Sequence, residues 1–250
     1  MSDRIAQIIG SPISPYVRKV LAACAAKGVE VAIDPIVPFF GGDAFTALSP
    51  LRRIPVYRDD LVSLCDSSVI CQYLEERWPA PRLYPEDIAA RAHARWLEEF
   101  ADTRLGDVFI WKLFNNAVIS PAVFGTPRDA ALRERTIAED VPAIMDYLER
   151  QLPANGFLCG ALGIADISVA VHFANLKWAR VELDWRKWPR VQAWLAAATA
   201  QSALGRLEAI GAALVTTPVP GQRAKLAELD VRTTPETLGI ARPRKGPMSV

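Results

Sequence analysis

With 250 residues the chain exceeds one minimal core and suits two domains, at roughly 100–200 residues per domain. Hydrophobic residues make up 51% and charged residues 23%, which gives enough apolar surface for a buried core and too little charge for a disordered chain. A formal net charge of +1 supplies no basic excess, so neither nucleic acid nor an anionic membrane is expected as a partner, and the short runs Leu51–Arg53 and Arg242–Lys245 do not change that.

Residues 4–9, Arg-Ile-Ala-Gln-Ile-Ile, read as a short strand that Gly10 to Ser14 interrupts with small residues and Pro12. A helix follows at once. Pro15 suits its first position, where the missing N–H and fixed φ cost nothing, and Val17, Val20, Leu21 and Cys24 repeat at helical spacing up to a stop at Lys27-Gly28. Val29–Val37 is again β-rich, and strand–helix–strand at this spacing predicts a parallel pair with a right-handed crossover. Pro38–Pro50, with Gly41, Gly42 and a short helical piece, reads as a loop. Ile54–Tyr57 and Leu61–Ser63, separated by Arg58-Asp59-Asp60, read as an antiparallel hairpin. Asp66 or Ser67 caps a further helix, with Val69, Ile70, Tyr73 and Leu74 on one face, before Trp78-Pro79 ends it.

From Asp87 onward helical patterns recur at about 87–117, 128–152, 164–182, 188–200 and 202–213, with no convincing strand. The expected organisation is a mixed α/β domain at 1–78, a proline-rich linker at 78–86, an all-helical domain at 87–214 and an extended tail at 215–250 punctuated by Pro218, Pro220, Gly221, Pro235, Pro243 and Pro247. Cys24, Cys65, Cys71 and Cys159 form no CxxC pair and sit in apolar runs, which predicts buried reduced thiols rather than disulfides, and no metal site. No segment approaches the roughly 18 uninterrupted apolar residues of a membrane span, and Met1–Gly10 lacks a cleavable signal pattern, so a cytoplasmic protein is expected.

The order β-α-β-(α)-β-β-α is that of the thioredoxin fold, and three local motifs accompany it. They are Ser11-Pro-Ile-Ser-Pro-Tyr-Val-Arg-Lys19 leading to Lys27-Gly28, Ser49-Pro50 followed by Ile54-Pro55-Val56, and Asp66-Ser67-Ser68-Val-Ile-Cys-Gln-Tyr-Leu-Glu75. In this order, with a helical domain behind them, they resemble the soluble glutathione S-transferases, most nearly serine-type bacterial members, over residues 4 to about 213. The resemblance implies a thioredoxin-like glutathione-binding domain, an all-helical C-terminal domain, glutathione as co-substrate, a small electrophile as second substrate, and a homodimer.

An enzyme of this kind must hold a tripeptide and keep its thiol as thiolate, the nucleophilic form. A free thiol of pKa near 8.5 is only about 3% ionised at pH 7, and lowering that pKa by two units takes about 2.7 kcal/mol. A helix N-terminus can supply this through its unsatisfied N–H groups, here those of Tyr16 and Val17, its positive dipole end and a cap hydroxyl. Ser14, directly before Pro15, is the best candidate for that hydroxyl; an ordinary N-cap is the bland alternative. Ser11 competes, but Ser14 has the interval to Lys27-Gly28 that the serine-type members show, and no tyrosine in the first strand or cysteine at 14 points to another class.

By the same resemblance Ile54-Pro55 is the cis-proline turn whose first residue pairs its backbone with the cysteinyl part of glutathione. Asp66 and Ser67 receive the γ-glutamyl end, Ser67 through its hydroxyl and N–H at a helix N-terminus and Asp66 through the ammonium. Arg52 or Arg53 is expected to reach the glycyl carboxylate, with a solvated charge pair as the alternative. Gly163-Ile-Ala-Asp166 resembles the family's capping box with glycine replacing the hydroxyl residue, a structural motif. Phe109, Trp111, Phe114 and Phe124 lie on or after the long helix, and Trp111 and Phe114 are singled out as a surface for an apolar electrophile, against core packing as the plain alternative. His93 and His172 receive no role.

Ile13 stands where the serine-serine-cysteine signature of isomerase-type members has cysteine, which weighs against an isomerase. A non-catalytic binding or interaction protein on the same fold is the second reading. A thiol–disulfide oxidoreductase is the third, and it lacks a cysteine near residue 14, since Cys24 lies about three helical turns away. Cys71, Leu74 and Trp78, on a helix face that one small sheet need not cover, are the sequence's hint of a dimer contact.

Overall fold

The computed structural model describes residues 5–244; Arg4 of the first expected strand and the last six residues of the expected tail lie outside them. The chain divides into two compact units, one formed by the described residues up to Pro81 together with those from Arg206 onward, the other by Arg82–Gly205.

The first unit contains β1 (Ala6–Ile9), α1 (Pro15–Ala26), β2 (Val31–Asp34), a 3-10 turn at Pro38–Phe40, α2 (Asp43–Leu48), β3 (Val56–Arg58), β4 (Ser63–Cys65) and α3 (Ser67–Arg77). The sheet order is β2-β1-β3-β4, with β1 parallel to β2 and antiparallel to β3. Alternation along β1 and β3 turns Ile9 and Val56 to the same side, where Ile36 and Phe45 join them in a core that also gathers Leu48, Ile54, Cys65 and Leu238. This is the thioredoxin-like arrangement expected from the element order.

The hairpin is set two residues later than the apolar runs predict. The Asp59 carboxylate accepts the N–H groups of Leu61 (2.8 Å) and Val62 (2.9 Å), and Asp59 N–H bonds Val62 C=O, so both apolar residues belong to the turn and β4 starts at Ser63. Tyr73 and Arg77 of α3 also bond Asp59, at 2.7 and 2.5 Å, fixing hairpin to helix.

The chain from residue 206 differs most from the expected organisation. α10 (Ser202–Val215) passes into the first unit, and beyond it lie a 3-10 turn at Val219–Gly221 and α11 (Gln222–Glu228) instead of a wholly extended tail. Residues 232–234 then run parallel to the free edge of β2: Ile33 N–H bonds Arg232 C=O at 2.9 Å and Thr234 N–H bonds Ile33 C=O at 3.1 Å. Further on, Leu238 C=O accepts Gly42 N–H, Ile240 N–H bonds Phe40 C=O, and Arg244 N–H bonds Phe39 C=O. The edge strand β2 thus has the N–H and C=O of Ile33 covered, and the loop after it is tied down by chain about 200 residues away.

The second unit is helical among its described residues. α4 (Ile88–Phe100), capped by Asp87, continues through π-type turns at Ala101–Ile119 into α5 (Ser120–Phe124); α6 (Ala130–Arg135) leads through a π turn at Thr136–Asp140 into α7 (Val141–Gln151). α8 (Ile164–Trp178) is buried along nearly its whole length, and α9 (Pro189–Thr199) follows. Its core stacks Phe109 on Phe173 and Phe173 on Trp194 edge to face.

Asp166 is fully buried at the start of α8, where it accepts the N–H groups of Gly163 (3.1 Å) and Leu158 (2.9 Å) and the Trp194 indole N–H (2.8 Å); burial nevertheless raises its pKa. A Cβ on Gly163 would stand 2.6 Å from Leu83 C=O, the oxygen that accepts Ile164 N–H. The missing hydroxyl of the capping box is therefore excluded by the close passage of another backbone.

Candidate active site

The turn Gly10–Ser14 links β1 to α1 and presents the helix N-terminus. Gly10 holds φ 150°, and a Cβ there would meet Val17 Cγ2 at 2.7 Å and Ile54 Cβ at 3.0 Å, so glycine lets the turn lie against the Ile54 segment. Ser14 is the N-cap of α1, with extended backbone and a half-buried side chain, and Pro15 takes the first helical position. Its hydroxyl oxygen accepts Val17 N–H at 3.5 Å, beyond the usual range, so the capping bond is weak and the hydroxyl proton is not used by it.

Ser11 is 1% exposed and faces the interior, donating its hydroxyl to Gln222 Oε1 at 3.1 Å. Of the two serines the structure puts Ser14 at the helix terminus and Ser11 beneath the turn. Tyr16 is half-buried in the first turn of α1.

Arg18 and Lys19 carry no sequence signal beyond two adjacent cations in a short apolar helix, yet both are buried. The Arg18 guanidinium donates to the carbonyls of Pro12 (2.6 Å) and Ile13 (2.8 Å), bringing its charge onto the Ser14 turn. Burial lowers its pKa to about 9, with Glu208 opposing, so it stays protonated at neutral pH. Lys19 Nζ donates to the hydroxyls of Ser67 (3.3 Å) and Ser68 (2.8 Å), behind the N-terminus of α3.

Ile54-Pro55 is a cis peptide, and Val56 leads directly into β3. Asp66 caps α3 at φ 76°, a conformation costing a non-glycine residue about 1–3 kcal/mol. Its Oδ1 accepts Ser68 N–H at 2.9 Å and Val69 N–H at 3.2 Å, and the residue is exposed, so its carboxylate faces solvent beside Ser67, the buried first residue of the helix.

The two arginines separate. Arg52 is buried, donating to Thr46 Oγ1 (2.5 Å), Pro38 C=O (3.2 Å) and Gly41 C=O (3.0 Å), and it braces the loop rather than facing a ligand. Arg53 is exposed, on a turn that Ser49 locks by bonding Arg53 N–H at 3.0 Å and Arg53 C=O at 2.8 Å.

In the helical unit Trp111 is half-buried, whereas Phe114 is 1% exposed with its ring 6.1 Å from that of Trp178. Phe114 is a core residue there, as is Phe109, because helical periodicity carries both inward. None of the four cysteines is in a disulfide; Cys24 and Cys71 are buried, Cys65 and Cys159 half-buried. Burial pushes the Cys24 thiol up to about 12, the opposite of what a reactive thiol needs. Cys71 and Leu74 are also fully buried, which corrects their expected availability to a partner; Leu61 (69% exposed) and Val69 (47% exposed) are the apolar residues this region leaves open. Among the described residues no cluster of three or more His, Cys, Asp or Glu could hold a metal ion, and no helix is long and apolar enough to cross a membrane.

Comparison with known proteins follows the same division of the chain. The model of the glutathione S-transferase N-terminal domain matches residues 8–82, and that of the glutathione S-transferase C-terminal domain matches residues 128–197. The chain is 28% identical to a maleylacetoacetate isomerase of Rattus norvegicus over 172 residues, 66% of this chain and 76% of that protein. Its fold is similar to that of a glutathione S-transferase from Sinorhizobium meliloti 1021, with TM-score 0.77 at 22% identity over 91% of this chain and all of the other. A glutathione S-transferase from Rhodospirillum rubrum F11 gives TM-score 0.75 at 24% identity, covering 81% of this chain and 91% of its own.

Proposed function

Because the chain belongs to the glutathione S-transferase family and is a glutathione transferase by that membership, we propose that Ser14 activates the glutathione thiol as a thiolate for attack on a small electrophile. The observation that carries the reading is Ser14 itself, a half-buried hydroxyl at the N-terminus of α1 whose capping bond is too long to hold it. The hydroxyl donates to the sulfur, the first-turn N–H groups and helix dipole favour its negative charge, and the buried Arg18 adds a fixed cation to the same turn.

Glutathione lies along the turns that end at Ser14, Pro55 and Asp66. Tyr16 flanks the thiol, and the backbone of Ile54, before cis-Pro55, pairs with the cysteinyl residue. The Ser67 hydroxyl and the α3 N-terminus, backed by the Lys19 ammonium, take the γ-glutamyl carboxylate, while Asp66 meets the γ-glutamyl ammonium. Arg53 meets the glycyl carboxylate, a role that Arg52 cannot share while it braces the loop.

Once the thiolate forms, its lone pair attacks the electrophilic carbon. Conjugation ends there with loss of a leaving group or protonation of the adduct. Isomerisation requires rotation and re-expulsion of the same thiolate. Both reactions remain within the proposal, since the isomerase relative shares 28% identity. The protein acts as a cytoplasmic homodimer, with Leu61 and Val69 near the contact.

Calorimetry of glutathione binding followed by ultraviolet titration of the bound thiol tests the reading. Binding with a thiol pKa well below 8.5 is expected. A bound thiol that titrates like free glutathione would reject the catalytic role and leave a glutathione-transferase-like binding protein.

A further inference from the structure

The serine turn is held from the far end of the chain. Gly10 N–H bonds Asp34 C=O and Ser11 N–H bonds Ile36 C=O, both at 2.8 Å, and Ser14 N–H bonds Ser11 C=O at 3.0 Å, so the position of Ser14 depends on Ser11 and on the backbone after β2. Two of these supports, Ser11 and Asp34, are gripped by residues of the C-terminal segment. Ser11 gives its hydroxyl to Gln222 Oε1, across 211 positions of sequence. Gln222 is 2% exposed, and its Nε2 points to Leu214 C=O (3.3 Å) and Thr217 C=O (3.4 Å), which leaves Oε1 directed at Ser11. The Asp34 carboxylate is held by Arg223 Nη2 at 2.9 Å and by Leu238 N–H at 2.8 Å, while Arg223 also donates to Thr234 C=O.

We infer that the segment Gln222–Leu238 is a positioning element of the active site, in which Gln222 sets the Ser14 hydroxyl through its bond to Ser11. This rests on the Ser14 reading above. Gln222 and Ser11 are both buried and act on the ligand only through Ser14. The bond fixes Ser11, Ser11 C=O fixes Ser14 N–H, and the hydroxyl on Ser14 then meets the sulfur at a set angle. The groups proposed to hold the two ends of glutathione, around Arg53 and around Asp66–Ser67, take no part in this chain of contacts. Loss of the bond therefore weakens thiolate stabilisation and leaves glutathione affinity nearly intact.

The test uses the full-length chain with Gln222→Met, which keeps side-chain length and apolar packing while removing the acceptor, with Ser11→Ala, which deletes the hydroxyl alone, and with the double variant. In each, the bound thiol pKa should rise by about 0.7 units, the equivalent of one neutral hydrogen bond, and kcat at neutral pH should fall about twofold as the thiolate fraction drops from about 75% to about 40%. KM for glutathione should change less than about twofold. The double variant should lose no more than either single one, because one bond is shared; general destabilisation would instead add. If Gln222→Met does not fold, Ser11→Ala carries the same measurement. Unchanged thiol pKa in the folded variants, against a lowered value in the parent protein, overturns this inference alone. A parent protein that does not lower the thiol pKa overturns it together with the Ser14 reading.

Discussion

Replacing Ser14 with alanine removes one hydroxyl and little else. The bond it accepts from Val17 N–H is 3.5 Å long, so the loss of the cap costs about 0.5 kcal/mol, the low end for a serine N-cap. That corresponds to a fall of roughly 1–2 °C in melting temperature for a chain of this size. The catalytic loss is far larger. If the bound thiol titrates about two units below 8.5, it is about 75% ionised at pH 7; without the hydroxyl it returns toward 8.5 and about 3%, a loss of roughly 25-fold. Misplacement of the sulfur raises the total to the order of 10²-fold, the effect of removing one donor to a developing anion.

The sign of the pH dependence follows. The donor lowers the thiol pKa, so the variant should be most impaired below about pH 7 and should recover the ionisation part as the pH rises above about 9, where both proteins hold a thiolate. The assay is conjugation rate against pH alongside ultraviolet titration of the bound thiol. Ser14 is not the thiolate donor if Ser14→Ala leaves the thiol pKa where it was, or if Ser11→Ala is the more damaging change at every pH.

Arg53→Ala should raise KM for glutathione about 3–5-fold with kcat unchanged, since an exposed charge on a carboxylate contributes ground-state and transition-state binding equally; steady-state kinetics at saturating electrophile would show an unaltered KM if Arg53 is only a solvated surface charge. Gly163→Ser restores the sequence of a full capping box yet should destabilise the fold by about 1–3 kcal/mol, because the new Cβ would stand 2.6 Å from Leu83 C=O; a thermal melt equal to or above that of the parent protein would contradict the close approach. Sedimentation equilibrium at micromolar concentration should give twice the 27.4 kDa of one chain, and Leu61→Asp with Val69→Asp should shift it to monomer; a single-chain mass for the parent protein rejects the dimer.

Local chemistry was enough to read the elements that present the site. Pro15 after Ser14 and glycine at 28 bound α1 within a residue of its observed ends, because φ restriction and the need for a cap act on neighbours in sequence. The same holds for Asp66 before α3 and for the helices from Asp87 to Thr199, whose apolar spacing is a property of a single segment. The hairpin register was not readable from apolar runs, since Asp59 draws Leu61 and Val62 into the turn through bonds that compete with the strand.

Other features depended on residues distant in sequence. Arg52 and Arg53 are identical in type and adjacent, and the loop carbonyls of Pro38 and Gly41 hold the first in the interior while the second is exposed. Glycine at 163 departs from a motif for a reason 80 residues away, in the passage of Leu83. The chain after Leu214 shows this most fully. Its prolines and weak periodicity predict an extended tail that either wraps a surface or stays disordered, because they report only that it cannot bury a face by itself. The exposed edge of β2, the carboxylate of Asp34 and the hydroxyl of Ser11 give that segment its bonding partners, and those exist only once the thioredoxin-like sheet has formed.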